Sequence, residues 1–371
     1  MKINFLSPSP GRDRVGGLKV IYQYANKLSA MGYEVCITYI PVFSNSDHFL
    51  INYSLGRNLL HYLAKKYTKK YNYKPKWFIL DNKIQTYYKL PYFINRSISD
   101  SDIVIFVASE VINICKNLPE SKGIKVFLII EYEKYAMANH TMKANFRKIF
   151  NNRKIHNIAC SIPVKTMLKE CKAKEDLYIP NFINFKEFNL DIDINDRKRT
   201  YIGFPTREEN YKGVQDAVEA LKFVKKELPN IKVWSFGKRK LDYFPDWIEF
   251  YESPTNKKLR ELYNRSKIFV MSSYYEGWGL PGSEAMACGA TLVSTRNGGV
   301  DSYATDNKTA LLSDIKDPKS LANNIIKLLK DDKLRLKLAK EGNKNIKKFN
   351  IDNSVFELDK YLNNILHSNK H

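Results

Sequence analysis

The 371 residues carry 61 Lys plus Arg against 39 Asp plus Glu, a formal net charge of +22, with 44% hydrophobic and 27% charged residues. That length exceeds one ordinary domain and is comfortable for two; no run approaches the roughly 18–20 apolar residues of a membrane-spanning helix, and the five scattered cysteines (Cys36, Cys115, Cys160, Cys171, Cys288) show neither metal-ligand spacing nor a disulfide framework. The basic balance predicts attraction to polyanions (nucleic acid, an anionic membrane face or phosphate-bearing substrates) without choosing among them, and the cytosol is the expected compartment.

The opening Met1–Pro8 is broken too soon for a signal peptide and reads as a first buried strand. A turn containing Gly16-Gly17 follows, then Leu18, Ile21, Tyr22, Ala25 and Leu28 at helical spacing, then a strand over Val35–Ile40. This βαβ opening lacks the G-x-G-x-x-G dinucleotide fingerprint, which counts against a nicotinamide enzyme. From His48 to Leu80 there is no Asp or Glu, and over 61–77 lysines (Lys65, Lys66, Lys69, Lys70, Lys74, Lys76) alternate with Tyr62, Tyr67, Tyr71, Tyr73 and Trp77. Lysine with interfacial aromatics suits peripheral contact with an anionic bilayer or a lipid-linked acceptor. It suits single-stranded nucleic acid less well, and the same residues also read as a solvated helix face and loop.

Asp102–Ala108 and Lys125–Ile130 read as further buried strands, the second running into Glu131 and Glu133. Ligands of open α/β sheets bind beyond the carboxyl ends of the strands, so both acids are candidates to face a cleft; His140 reads as a surface histidine. Asn157–Ser161 is expected to be the last strand of this half and Val164–Cys171 a helix. A polar stretch, Asp191 to Arg199, precedes a fresh α/β pattern with a strand over Thr200–Phe204 and a helix over Val214–Leu228. Asp191-Ile192-Asp193 has the spelling of a metal-binding acid pair, but it falls in this linker, away from any strand end.

The densest chemistry lies between Ser272 and Gly299. An apolar strand, Ile268–Met271, leads into a glycine-rich turn, Pro281 near a helix start, and helix-forming Ser283–Ala287. Strand, glycine turn and helix start aim backbone N–H groups and a positive helix end at an anion, usually a phosphate. Glu276 and Glu284 frame the turn with seven residues between them. Carboxylates beside a diphosphate do not bind it; they accept hydrogen bonds from the hydroxyls of a sugar or ribose, which points to a nucleotide-sugar.

Glu276 to Glu284, within Glu276-Gly277-Trp278-Gly279-Leu280-Pro281 and Glu284-Ala285-Met286-Ala287-Cys288-Gly289 and followed by Gly298-Gly299, resembles the paired-glutamate signature of retaining GT-B glycosyltransferases, above all glycosyltransferase family 4. The resemblance covers residues 200–350 by motif and the earlier chain by architecture. It implies an α/β fold of GT-B architecture, two Rossmann-like doubly wound domains facing across a cleft. Residues 1–185 would be an acceptor-binding domain, 186–350 a nucleotide-sugar-binding domain, and 351–371 a helix crossing back to the first. It implies that Gly17, Gly277, Trp278, Gly279, Leu280 and Pro281 border the donor, that Arg207 and Lys212, with four residues between them, hold its diphosphate, and that Glu276 meets the sugar and Glu284 the ribose. Loops at Gly237 and Tyr251–Ser253 would lie near the base. The family often has a histidine where this chain has Glu131 and Glu133, and usually a glutamate where Asp301 stands. The implied activity is transfer of a hexose or deoxyhexose to a glycan in cell-surface polysaccharide synthesis, catalysed by Glu276, Arg207 and Lys212 with no metal or cofactor. A nucleotide-sugar epimerase, or an inactive basic protein of the same fold, is the alternative.

Overall fold

A computed structural model describes residues 1–8, 16–40, 74–89, 98–115, 117–197 and 201–368. Two parallel sheets organise them. In the first half, β1 (Lys2–Pro8), α1 (Gly16–Ala30), β2 (Glu34–Ile40), β3 (Gln85–Tyr88), β4 (Ile103–Phe106), α2 (Ser109–Cys115), β5 (Ile124–Ile129), α3 (His140–Phe150), β6 (Ile155–Ala159), α4 (Ile162–Glu170) and β7 (Leu177–Tyr178) follow in turn. The strands pair in the order β3-β2-β1-β4-β5-β6-β7, every pair parallel.

The second half runs β8 (Tyr201–Pro205), α5 (Val214–Glu227), β9 (Lys232–Gly237), β10 (Ile248–Glu252), α6 (Asn256–Arg265), β11 (Ile268–Met271), α7 (Leu280–Ala287), β12 (Thr291–Thr295), β13 (Ala310–Ser313), α8 (Pro318–Lys330), α9 (Asp332–Ile346) and α10 (Ile351–Ser368). Its sheet order is β10-β9-β8-β11-β12-β13, again all parallel. The central strands are solidly apolar because helices cover both faces: all four residues of β4 (IVIF) and of β11 (IFVM) are buried. In each sheet the strand order reverses beside the first strand, between β1 and β4 and between β8 and β11, which opens a crevice at the carboxyl ends of those strands.

α10 follows the second sheet in sequence but packs on the first. Its Val355, Leu358, Leu362 and Ile365 belong to the core that holds Ile21 and Tyr24 of α1 and Ile37 of β2. Lys27 pairs with Asp352, and the Tyr33 hydroxyl donates to Asp359 at 2.5 Å. Ser354 donates to the carbonyl of Pro180 at 3.2 Å, which ties the helix to the passage between the two halves.

Three strands depart from the sequence expectation. Asn157–Ser161 is followed by one more strand, the two-residue β7, and neither β3 nor β13 stands out in the sequence. Two and four residues are too few to display a period. Most of the basic-aromatic stretch, 61–73, lies outside the described residues. Of the rest, Lys74 donates to the carbonyl of Asp81 and to Asn82, and Trp77 packs on Tyr22 of α1 with ring centroids 5.6 Å apart, so it is not an outward-facing aromatic. No described helix is long and apolar enough to cross a membrane.

Candidate active site

The loops after β8 and β11 build one wall of the crevice. β8 ends at Pro205, and Arg207 and Lys212 follow before α5 begins. Gly213 turns the chain into that helix with φ 59°, and a Cβ there would stand 2.1 Å from the carbonyl oxygen of Ser272. Only glycine lets the Lys212 loop lie this close to the strand-end loop of β11. After β11, Glu276 is held by a parallel bridge to Gly298, its N–H donating to the carbonyl of Asn297 at 3.0 Å. Gly279 (φ 87°) then caps α7 in the left-handed region, with Pro281 in the first helical turn.

The opposite wall comes from the first half. Gly16 opens α1, and a Cβ on Gly16 would reach Leu280 at 3.2 Å. The backbone beyond β5 comes closer still: a Cβ on Gly277 would sit 2.7 Å from the carbonyl oxygen of Ile130. Two adjoining cavities lie between the walls. One is bounded by Lys19, Trp77, Gly237, Ser253, Pro254 and Glu284, the other by Gly17, Glu133, Lys212, Ser273, Glu276 and Gly279. Gly16, Arg207, Lys238, Leu280 and Pro281 border both.

Each cavity contains a lysine held between carboxylates. Lys212 Nζ is 3.0 Å from Glu276 Oε1 and 3.6 Å from Glu133 Oε1. Lys19 Nζ is 3.0 Å from Glu284 Oε1 and 3.1 Å from Glu187 Oε2. Ser273 Oγ adds a 2.7 Å bond to Glu276 Oε1, and Gly277 N–H donates to Glu133 Oε1 at 3.2 Å. Burial opposes the charged form of each lysine, but the facing carboxylates outweigh it and raise both ammonium pKa values. Burial also raises the pKa of Glu276 and Glu284, their lysine partners only partly restoring the ionised form. Arg207 makes a single long contact among the described residues, Nη1 to the carbonyl of Thr206 at 3.4 Å, and no ion pair.

Of the residues singled out from sequence, Arg207, Lys212, Glu276, Gly279, Leu280, Pro281 and Gly17 line the crevice, and Glu284 lies at its other end beyond Arg207. Gly277 contributes its N–H. Trp278 borders the second cavity, but its indole is buried against Tyr303 and Phe349 and donates to Ser283 at 3.1 Å, so it braces the turn from behind. Glu131 and Glu133 separate: Glu133 faces Lys212, whereas Glu131 accepts from the Ser109 N–H at 2.7 Å and pairs with Lys134 at 2.9 Å inside its own half. His140 and Asp301 are exposed. Asp191 pairs with Arg260, Asp193 caps a turn at Asn195, and no group of three His, Cys, Asp or Glu among the described residues is arranged to hold a metal ion. Lys19 and Glu187 carry no local signal: in sequence Lys19 is an ordinary helix lysine, and only the fold brings it to Glu284.

Known proteins resemble this chain in its second half above all. Residues 186–345 match the family described as glycosyl transferases group 1. A D-inositol 3-phosphate glycosyltransferase from Salinispora tropica is 31% identical over 113 residues, 30% of this chain and 23% of that protein. The chain thus spans about a quarter of the length of the curated relatives it matches first. The capsular polysaccharide biosynthesis glycosyltransferase CapM of Staphylococcus aureus is 23% identical over 267 residues, covering 66% of this chain and 67% of that one. Among solved structures, Anabaena HepE in complex with UDP and glucose superposes with a TM-score of 0.76 at 12% identity, over 98% of this chain and 100% of that chain. The two facing parallel-sheet domains are therefore a GT-B fold, and the group 1 segment contains Arg207, Lys212, Glu276 and Glu284.

Proposed function

We propose that the protein is a retaining glycosyltransferase that moves a hexose or deoxyhexose from a nucleotide-diphosphate sugar to an acceptor glycan, in cell-surface polysaccharide synthesis. The observation that carries the reading is the place of Arg207, which borders both cavities and makes no ion pair among the described residues, with Glu284 lining one cavity and Glu276 the other. A diphosphate at this junction meets the Arg207 fork, the Lys212 ammonium, and the N–H groups at the start of α7. The nucleoside then extends past Glu284 toward Gly237 and Ser253, and the sugar toward Glu276. Lys19 holds one oxygen of Glu284, leaving the other for the ribose diol.

In the transfer, the bond between the anomeric carbon and the diphosphate oxygen breaks, and the positive charge gathering on that carbon faces the Glu276 carboxylate. Arg207 and Lys212 offset the charge that grows on the departing diphosphate. That oxygen takes the acceptor hydroxyl's proton as the new glycosidic bond forms on the same face, so no separate general base is required. Residues 1–185 would bind the acceptor, residues 186–350 the donor, and residues 351–371 would complete the first domain. CapM's name and the HepE complex with UDP and glucose support the setting and the donor class. Contact of the 61–77 stretch with an anionic membrane belongs to the same reading.

Thermal unfolding with a panel of nucleoside diphosphates and their sugars tests it. A donor at a hundred times its Kd adds about 2.7 kcal/mol and moves the midpoint by several degrees. The shift is expected for one nucleotide and is lost in Arg207→Ala, where a charge-assisted contact worth about 1.5–3 kcal/mol disappears. No shift with any nucleotide would overturn the reading, and an epimer formed from donor alone would replace it.

A further inference from the structure

Glu133, Glu276 and Lys212 meet at the lining of the second cavity. Glu276 comes from the loop after β11, and Glu133 comes from the turn after β5 on the other wall; Lys212 lies between them at 3.0 and 3.6 Å. Glu133 is firmly placed. Its Oε2 accepts from the Tyr132 N–H at 3.1 Å, its Oε1 accepts from Gly277 N–H at 3.2 Å, and Gly277 lies so near Ile130 that a side chain there would clash. The two cavities meet at Arg207, so a donor with its diphosphate at that junction places its sugar between Glu133 and Glu276. Arg207 and Lys238 border both cavities and so lie at the diphosphate junction; once Lys212 too is engaged by phosphate, Glu133 and Glu276 face the sugar without the ammonium that bridges them in this structure.

We infer that Glu133 is a specificity-determining residue, forming with Glu276 a pocket that accepts a neutral donor sugar through its hydroxyls and rejects a hexuronic acid. The inference rests on the donor reading above and extends it to the class of sugar. A neutral hexose offers hydroxyl donors, which carboxylates accept well. A uronate offers a third carboxylate to a partly desolvated site already bearing two, and like charges at this range are repelled strongly there.

Matched pairs provide the test: UDP-glucose with UDP-glucuronate, and GDP-mannose with GDP-mannuronate, each measured by calorimetry beside the free diphosphate. For whichever base binds, the neutral sugar is expected to bind at least tenfold more tightly than its uronate. In Glu133→Gln that ratio, with each affinity divided by that of the free diphosphate, narrows severalfold, and Glu133→Asp restores most of it. Binding of the free diphosphate by each variant shows that it has folded. A uronate bound as tightly as its neutral partner, or a ratio unmoved in Glu133→Gln, overturns the inference while the donor reading stands. Binding of no nucleoside diphosphate in the wider panel removes the donor reading and the inference with it.

Discussion

Glu276 is 8% exposed and Glu284 7% exposed, and both are carboxylates whose folded pKa is raised by burial. The stability associated with their protonated form is fully present below the unfolded value of about 4.3 and is lost as pH rises through the raised folded value. The lysines facing them, raised above an ordinary value of about 10.4, stay charged across that range and do not change its slope. At neutral pH the site therefore holds charges that the fold would rather not carry, as expected where chemistry and stability compete. Glu276→Gln keeps an oxygen for Ser273 while removing the charge. It is expected to melt at or above the parent's temperature at pH 7, with the difference closing as pH falls toward 4.5, and to lose transfer activity about a hundredfold or more. Differential scanning calorimetry across pH and an initial-rate assay check it; a constant gap, or a variant less stable at pH 7 than at pH 4.5 relative to the parent, would contradict it.

At the scale of loops and helices, Gly213 and Gly32 make a controlled pair. Both have positive φ (59° and 93°), but a Cβ on Gly213 meets the Ser272 carbonyl at 2.1 Å and one on Gly32 meets nothing within 4 Å. Gly32→Ala is expected to cost only the left-handed backbone penalty, about 1–2 kcal/mol. Gly213→Ala must also part the Lys212 loop from the loop after β11. It should lower Tm by several degrees more than Gly32→Ala and weaken nucleotide binding, which Gly32→Ala leaves intact. Equal effects would mean that the close approach is unimportant. This packing explains what could be read from the chain alone. The strand-turn-helix around Glu276 and Glu284 is local, so its glycines, proline and apolar run lie within one stretch of sequence. The crevice needs partners from far away: Lys19 is 265 residues from Glu284, and Glu133 is 144 from Gly277. Such pairings leave no spacing to find, and the short edge strands β3 and β7 leave no period.

For the molecule as a whole, the position of α10 sets how the two domains depend on each other. Leu358 and Leu362 are fully buried in the first domain's core. Truncating a buried leucine to alanine costs about 2–5 kcal/mol. Leu358→Ala is therefore expected to split thermal unfolding, the first domain melting early while the second keeps the parent transition. A nucleoside diphosphate should then shift mainly the later transition. A single transition lowered as a unit would show instead that the interface welds the two domains together, with Lys19–Glu284 and Lys212–Glu133 as the obvious ties.

The route of α10 also bears on the order of events during synthesis. The first domain emerges from the ribosome first, but the helix that seals Ile21, Tyr24 and Ile37 arrives only with residues 351–368. The second domain, whose strands and packing helices end by Ile346, has every part it needs before that helix emerges. Domains usually mature in the order in which they are made. Here the amino-terminal one waits with an apolar groove open while its neighbour folds, and a stretch translated after the whole of that neighbour is the one that closes it.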